Sequence, residues 1–134
     1  MYKMSREISF CYGHRLLNYS GKCRYLHGHN GRAIITLQCD ELDSLGMVLD
    51  FSDLKQVVVP WIENEIDHRM LLHKDDPFVQ ILKDMGEPIK ILECNPTAEN
   101  IARLIFDFVK SSGYPVSDVV LWETASCFAT YAGH

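Results

Sequence analysis

Two stretches of alternating apolar and polar residues, 2–10 and 31–40, flank a segment rich in glycine and histidine. This arrangement limits the possible folds more than anything else in the chain. In the first stretch Tyr2, Met4, Ile8 and Phe10 share one face and Lys3, Ser5, Glu7 and Ser9 the other, with Arg6 the one misfit. Successive side chains of an extended strand point to opposite faces, so the pattern predicts a half-buried β-strand. In the second, Ala33, Ile35, Leu37 and Cys39 alternate against Arg32, Thr36 and Gln38, and Ile34 breaks the pattern. Residues 11–30 between them include Gly13, Asn18, Ser20, Gly21 and Gly28 and predict a loop that returns to the sheet.

That loop holds His14, His27 and His29, half of the chain's six histidines, together with Cys23. His27 and His29 lie two apart and face the same way if extended. Three imidazoles and an open fourth position suit a catalytic zinc. Cys23, four residues before His27, reads in either of two ways. It is the fourth ligand of a closed structural site, or a thiolate base whose pKa the metal, Arg24 and Lys22 lower. Spacing alone does not separate these. Asp67 and His68 place a carboxylate beside an imidazole, a proton relay if the backbone turns sharply there. His73 and His134 read as solvent-facing. Glu123 interrupts the apolar run VVLWET, either as the wet end of a strand or as an anchor for an amidine-like edge, which one carboxylate can hold with two parallel hydrogen bonds.

Downstream, Leu54, Val57, Val58, Trp61 and Ile62 form an apolar stripe that predicts a helix over 52–66, kinked or split by Pro60. Residues 77–92 are ambiguous: Phe78, Ile81 and Leu82 suggest a short helix before Gly86 and Pro88, and Ile89 to Leu92 a short extended piece. The clearest helix is capped by Asn95 or Thr97, carries Ile101, Leu104, Ile105, Phe108 and Val109, and ends at Gly113 and Pro115. Residues 116–124 and 127–132 predict two closing strands. The order is β-β-α-α-β-β. The expected fold is α+β, a four-stranded antiparallel sheet with two helices on one face, in a single domain spanning 1–134.

Thirteen basic and eighteen acidic residues give a net charge of −5, which disfavours nucleic acid as a partner. No Asp or Glu occurs from Ile8 to Cys39, a window that holds Arg15, Lys22, Arg24 and Arg32. A basic, metal-bearing segment on an acidic chain points to an anionic small molecule. No apolar run approaches the roughly 20 residues of a membrane span, and the N-terminus lacks the apolar core of a signal peptide. Five scattered cysteines argue against a disulfide framework, so a cytoplasmic location is expected.

These features lie in motifs that resemble the 6-pyruvoyl-tetrahydropterin synthase and 6-carboxy-tetrahydropterin synthase family over nearly the whole chain. They are F-x-x-x-H-R-L at Phe10 to Leu16, C-x-x-x-H-G-H-N at Cys23 to Asn30, and G-M-V-x-D-F-x-D-L-K at Gly46 to Lys55. Asp67-His68, N-P-T-x-E-N at Asn95 to Asn100, and Glu123-Thr124 follow in the same order. The resemblance implies a T-fold, homotrimers whose sheets close into a barrel, and trimers stacked as a hexamer. Closure of that kind removes exposed sheet edges. It also implies zinc held by His14, His27 and His29, and Cys23 as the proton-abstracting thiolate. Asp67 and His68 would complete the relay, from a neighbouring subunit, Glu123 would anchor a pterin, and Thr97 would contact it through its backbone. The implied substrate is 7,8-dihydroneopterin triphosphate. The short Cys23-to-His27 spacing resembles the 6-carboxy enzymes of queuosine biosynthesis, which release acetaldehyde and triphosphate. The alternatives are a 6-pyruvoyl product with the side chain retained, and a paralogue that binds pterin or zinc without turnover. The chain departs from the family pattern at the bulky Cys11-Tyr12 and in a longer segment between His68 and Asn95.

Overall fold

The computed structural model describes residues 1–133, so His134 lies outside the described residues. β1 (Tyr2–His14) and β2 (His27–Cys39) form one antiparallel hairpin, in register from Tyr2 opposite Cys39 to His14 opposite His27. Both strands run further than their alternation predicts. The expected loop 11–30 shrinks to residues 15–26, with a short 3-10 turn at Lys22–Arg24. Glycines at 13 and 28 hide the continuation from a pattern of apolar side chains. Gly28 also has a local reason to be glycine, since a Cβ there would meet the Tyr12 carbonyl oxygen at 3.1 Å.

After the hairpin come α1 (Phe51–Glu65), β3 (Arg69–His73), α2 (Phe78–Asp84), β4 (Ile89–Leu92), α3 (Ala98–Ser111), β5 (Val116–Trp122) and β6 (Phe128–Tyr131). The strands form a six-stranded mixed sheet in the order β4-β3-β1-β2-β5-β6. β3 lies parallel to β1 and β4 parallel to β3, while β2, β5 and β6 continue antiparallel. The expected four-stranded antiparallel sheet with two helices is therefore corrected to six strands and three helices. The missed strand is RMLLH, too short to show a period and buried at both leucines. Short continuous apolar runs carry no readable periodicity.

One face of the sheet carries the core. Met4, Ile8, Phe10 and Tyr12 of β1, Ala33, Ile35 and Leu37 of β2, and Val119 and Leu121 of β5 pack against Leu54, Val58 and Ile62 of α1 and Ile101, Ile105 and Val109 of α3. Trp61 and Phe108 stack between the two helices at 4.4 Å. Asp50 caps α1 by accepting from the Ser52 N–H, and Thr97, rather than Asn95, caps α3 by accepting from Asn100. Pro60 does not split α1, which runs unbroken through it. Pro60 and Gln56, the residue whose carbonyl loses a partner, are both exposed, so water replaces the lost bond. His73 is not solvent-facing as expected. Its side chain is only 21% exposed, and its Nδ1 accepts from the Asp75 N–H at 3.0 Å.

Candidate active site

Strand alternation does the first part of the assembly. The face of β1 that presents Ile8, Phe10 and Tyr12 to the core presents His14 next, and the register sets His14 opposite His27 and Tyr12 opposite His29. All three imidazoles thus emerge on the helix-bearing face, at the end of the hairpin. Their ligand atoms lie within 4.8 Å of one another, and His14 Nε2 and His29 Nε2 are 3.2 Å apart. Two nitrogens bound to one tetrahedral zinc at its usual bond length sit about 3.3 Å apart, so this spacing is that of a shared ion.

Backbone carbonyls orient the rings. His14 Nδ1 donates to the Pro96 carbonyl at 2.6 Å and His27 Nδ1 to the Tyr25 carbonyl at 2.7 Å. Each bond sets the tautomer that leaves the Nε2 lone pair for a metal, the outer support typical of ligating histidines. His14 is 3% exposed. Burial, together with the neighbouring His27 and His29, holds its imidazole below the ordinary 6.5, against the opposing pull of Pro96 and Glu123. A neutral ring is the form that binds metal. The donor set and its supports fit zinc. Cys23 is not part of the cluster, so as a closed fourth ligand it has no geometric support.

Glu123 lies one residue beyond β5, where its N–H donates to the Cys127 carbonyl. It shares the face of Leu121. Its carboxylate reaches within 3.8 Å of His14 Nε2 and 3.9 Å of His29 Nε2. Tyr12, 3% exposed, donates its phenol to Glu123 Oε1 at 2.9 Å. Burial, then the Glu123 charge, pushes that phenol well above its usual range, so it stays a donor at any ordinary pH. An open depression of about 440 Å³ lies at the end of the hairpin, lined by Cys11 to Gly13, Leu26 to Asn30 and Met70, and it includes neither His14 nor Glu123.

Asp67 and His68 bond as the sequence suggested, His68 Nδ1 to Asp67 Oδ2 at 2.8 Å. The sharp turn this needs is present, for His68 has a φ of 58°, a left-handed backbone uncommon outside glycine. Asp67 Oδ1 also accepts from the Cys11 N–H, and the His68 N–H donates to the Cys11 carbonyl. His68 is 77% exposed. Among the described residues no hydrogen bond or ion pair joins this dyad to the imidazoles. Thr97 is occupied as a helix cap, one residue after the carbonyl that orients His14.

The chain's longer middle segment serves the same loop. Arg15 places a two-pronged bond on Asp76, Nε at 2.6 Å and Nη2 at 2.7 Å, and lies over the Phe78 ring. Burial acts to raise the Asp76 carboxyl, but Arg15 and the Phe78 N–H outweigh it and leave it below the ordinary carboxylate value. Asn95 clamps both the N–H and the carbonyl of Leu17. Of the basic window, Arg15 and Arg32 are thus paired, Arg32 with Glu7. Lys22 and Arg24 have no carboxylate partner among the described residues, and Arg24 bonds the carbonyls of Ser20 and Gly21 and the Tyr25 hydroxyl. Sequence reasoning missed the Pro96 and Tyr25 carbonyls, which no residue type announces, and the Tyr12 bond, of which only the side chain's bulk was visible.

The profile of the 6-pyruvoyl tetrahydropterin synthase family matches residues 3–134. The chain belongs to this family. A Rickettsia felis relative named 6-carboxy-5,6,7,8-tetrahydropterin synthase is 39% identical over 96% of this chain and 98% of its own length. A Haemophilus influenzae relative of the same name is 33% identical over 98% and 99%. Among solved structures, Caenorhabditis elegans 6-pyruvoyl tetrahydropterin synthase superposes with a TM-score of 0.73 at 29% identity, covering 99% of this chain and 96% of that one. An uncharacterized protein from Wolinella succinogenes gives 0.83 at 26%, covering 99% and 98%. The family fold thus includes the mixed six-stranded sheet and its three helices, and no helix among the described residues is long and apolar enough to cross a membrane.

Proposed function

We propose that this protein is a zinc-dependent 6-carboxy-tetrahydropterin synthase, a lyase that converts 7,8-dihydroneopterin triphosphate and water to 6-carboxy-5,6,7,8-tetrahydropterin, acetaldehyde and triphosphate, the step used in queuosine synthesis. The observation that carries this reading is the convergence of His14, His27, His29 and Glu123 at one spot, in a chain matched end to end by relatives of that name. Zinc, when bound, supplies a Lewis acid that polarises the side-chain oxygens of the substrate.

The chain's own residues do the rest. The Glu123 carboxylate accepts two parallel hydrogen bonds from the ring N–H and amino group of the pterin and sets its orientation. Each carboxylate oxygen has two acceptor sites, so the Tyr12 bond leaves capacity for this. Cys23 takes a proton from a side-chain carbon. His68, its tautomer set by Asp67, returns one. The backbone at Thr97 contacts the pterin, and Lys22 and Arg24 attract the triphosphate. The dyad's exposure and its lack of bonds to its own imidazole cluster support a site completed by a neighbouring subunit of a homotrimer or hexamer. Five free cysteines fit a cytoplasmic protein.

The test is to incubate zinc-loaded protein with 7,8-dihydroneopterin triphosphate and identify the products by mass spectrometry. A 6-carboxy product with acetaldehyde is expected. A 6-pyruvoyl product, or no turnover, overturns the assignment.

A further inference from the structure

Tyr12 sets a bulky ring next to His14 on the site's face of β1, and the hairpin is shaped to admit it. Its ring lies across Gly31, where a Cβ would meet Tyr12 Cε1 at 2.9 Å and Phe10 Cε2 at 3.4 Å. Any side chain at position 31 would displace the ring. From this cradle the ring passes edge-on to His14, at 5.2 Å between centroids, and tilted beside His29 at 5.6 Å. Its hydroxyl then spans from β1 to the end of β5 and holds Glu123 Oε1 at 2.9 Å.

Glu123 needs to be held. Its two oxygens stand 3.8 and 3.9 Å from the ligating nitrogens of His14 and His29. Donors sharing one tetrahedral ion are about 3.3 Å apart, so a shift of about half an ångström would turn this carboxylate into a fourth ligand. A carboxylate is a good zinc ligand, and a site closed by one has no open position left for substrate. We propose that Tyr12 is a positioning residue that tethers Glu123 off the metal, keeping the carboxylate for the pterin and one coordination position open. The inference rests on the reading of His14, His27 and His29 as metal ligands.

Cobalt(II) gives a readout independent of turnover, because its visible spectrum reports coordination number and donor type. Metal-free wild type, Tyr12→Phe and Tyr12→Phe/Glu123→Gln would each be titrated with Co(II), with affinity measured against a competing chelator. Phenylalanine keeps the ring packing on Phe10 and Gly31 and removes only the tether. Tyr12→Phe is expected to show an altered spectrum and to bind Co(II) on the order of tenfold more tightly, the scale on which outer-shell changes act. The double variant is expected to return to the wild-type spectrum and affinity. Wild type that takes up no Co(II) overturns the metal site and the tether with it. Wild type that binds Co(II) while Tyr12→Phe is indistinguishable from it overturns the tether alone. A change that persists in the double variant also overturns it, since the change then does not come from Glu123.

Discussion

Arg15 and Cys23 both lie in the loop between the first two strands, and they differ in what holds them. Arg15 is bound to a carboxylate with no exposed side-chain surface, so Arg15→Met strands a buried charge on Asp76 and is expected to cost about 3 kcal/mol in chemical denaturation. An unchanged midpoint would contradict this. The contribution depends on pH with a definite sign. The folded carboxyl of Asp76 lies below its unfolded value of about 3.9, so on acidification the unfolded chain takes up the proton first. Stabilisation is therefore full above about pH 4 and is lost as pH falls through the folded value. Wild type and Asp76→Asn should converge in stability on acidification below pH 4, and a constant gap would rule the linkage out. Cys23 stands outside the imidazole cluster. Cys23→Ala should keep zinc at full stoichiometry, read by elemental analysis, while turnover falls by about 10² to 10⁴, the range for a lost general base. Loss of zinc would instead make Cys23 a ligand.

At the scale of elements, the helices follow from local rules and the short strands do not. α3 has a cap, a stripe and a glycine stop, all of them local, and it forms where they predict. α1 keeps its stripe of Leu54, Val58 and Ile62 buried although Pro60 sits inside it. The apolar face against the sheet outweighs one missing backbone bond at a wetted carbonyl. Pro60→Ala should therefore raise stability by about 2 kcal/mol, the helix-interior cost of proline less the freedom regained by the unfolded chain. No gain in melting temperature would mean that the proline ring itself contributes to the packing of α1. β3 and β4 are five and four residues long, and they exist because β1 offers an open edge from Tyr12 to His14 for β3 to join. Neither sequence is long enough to say which strand it joins, although Ile89 to Leu92 already reads as a short extended piece.

For the whole molecule, β4 and β6 are the two edges of the sheet, and among the described residues the Asp67–His68 dyad makes no hydrogen bond or ion pair to the imidazoles it is expected to serve. Both facts fit a site shared between copies of the chain, which predicts complementation. Cys23→Ala and His68→Ala variants, each inactive, should regain activity when co-refolded, because some sites then combine an intact Cys23 with an intact His68. Mixtures no more active than either parent would place the whole site in one subunit. The sequence by itself determined the hairpin alternation, the two long helices, the three histidines and the motif order of the family, because each rests on residue type at short spacing. Only the tertiary structure decided the sheet's six-stranded mixed topology and the extension of β1 and β2 through their glycines. It also decided that Pro96, Tyr25 and Tyr12 would orient the site, and that Arg15 would be neutralised by Asp76. These depend on register and on contacts between distant segments, where backbone carbonyls and packing, rather than residue identity, carry the information.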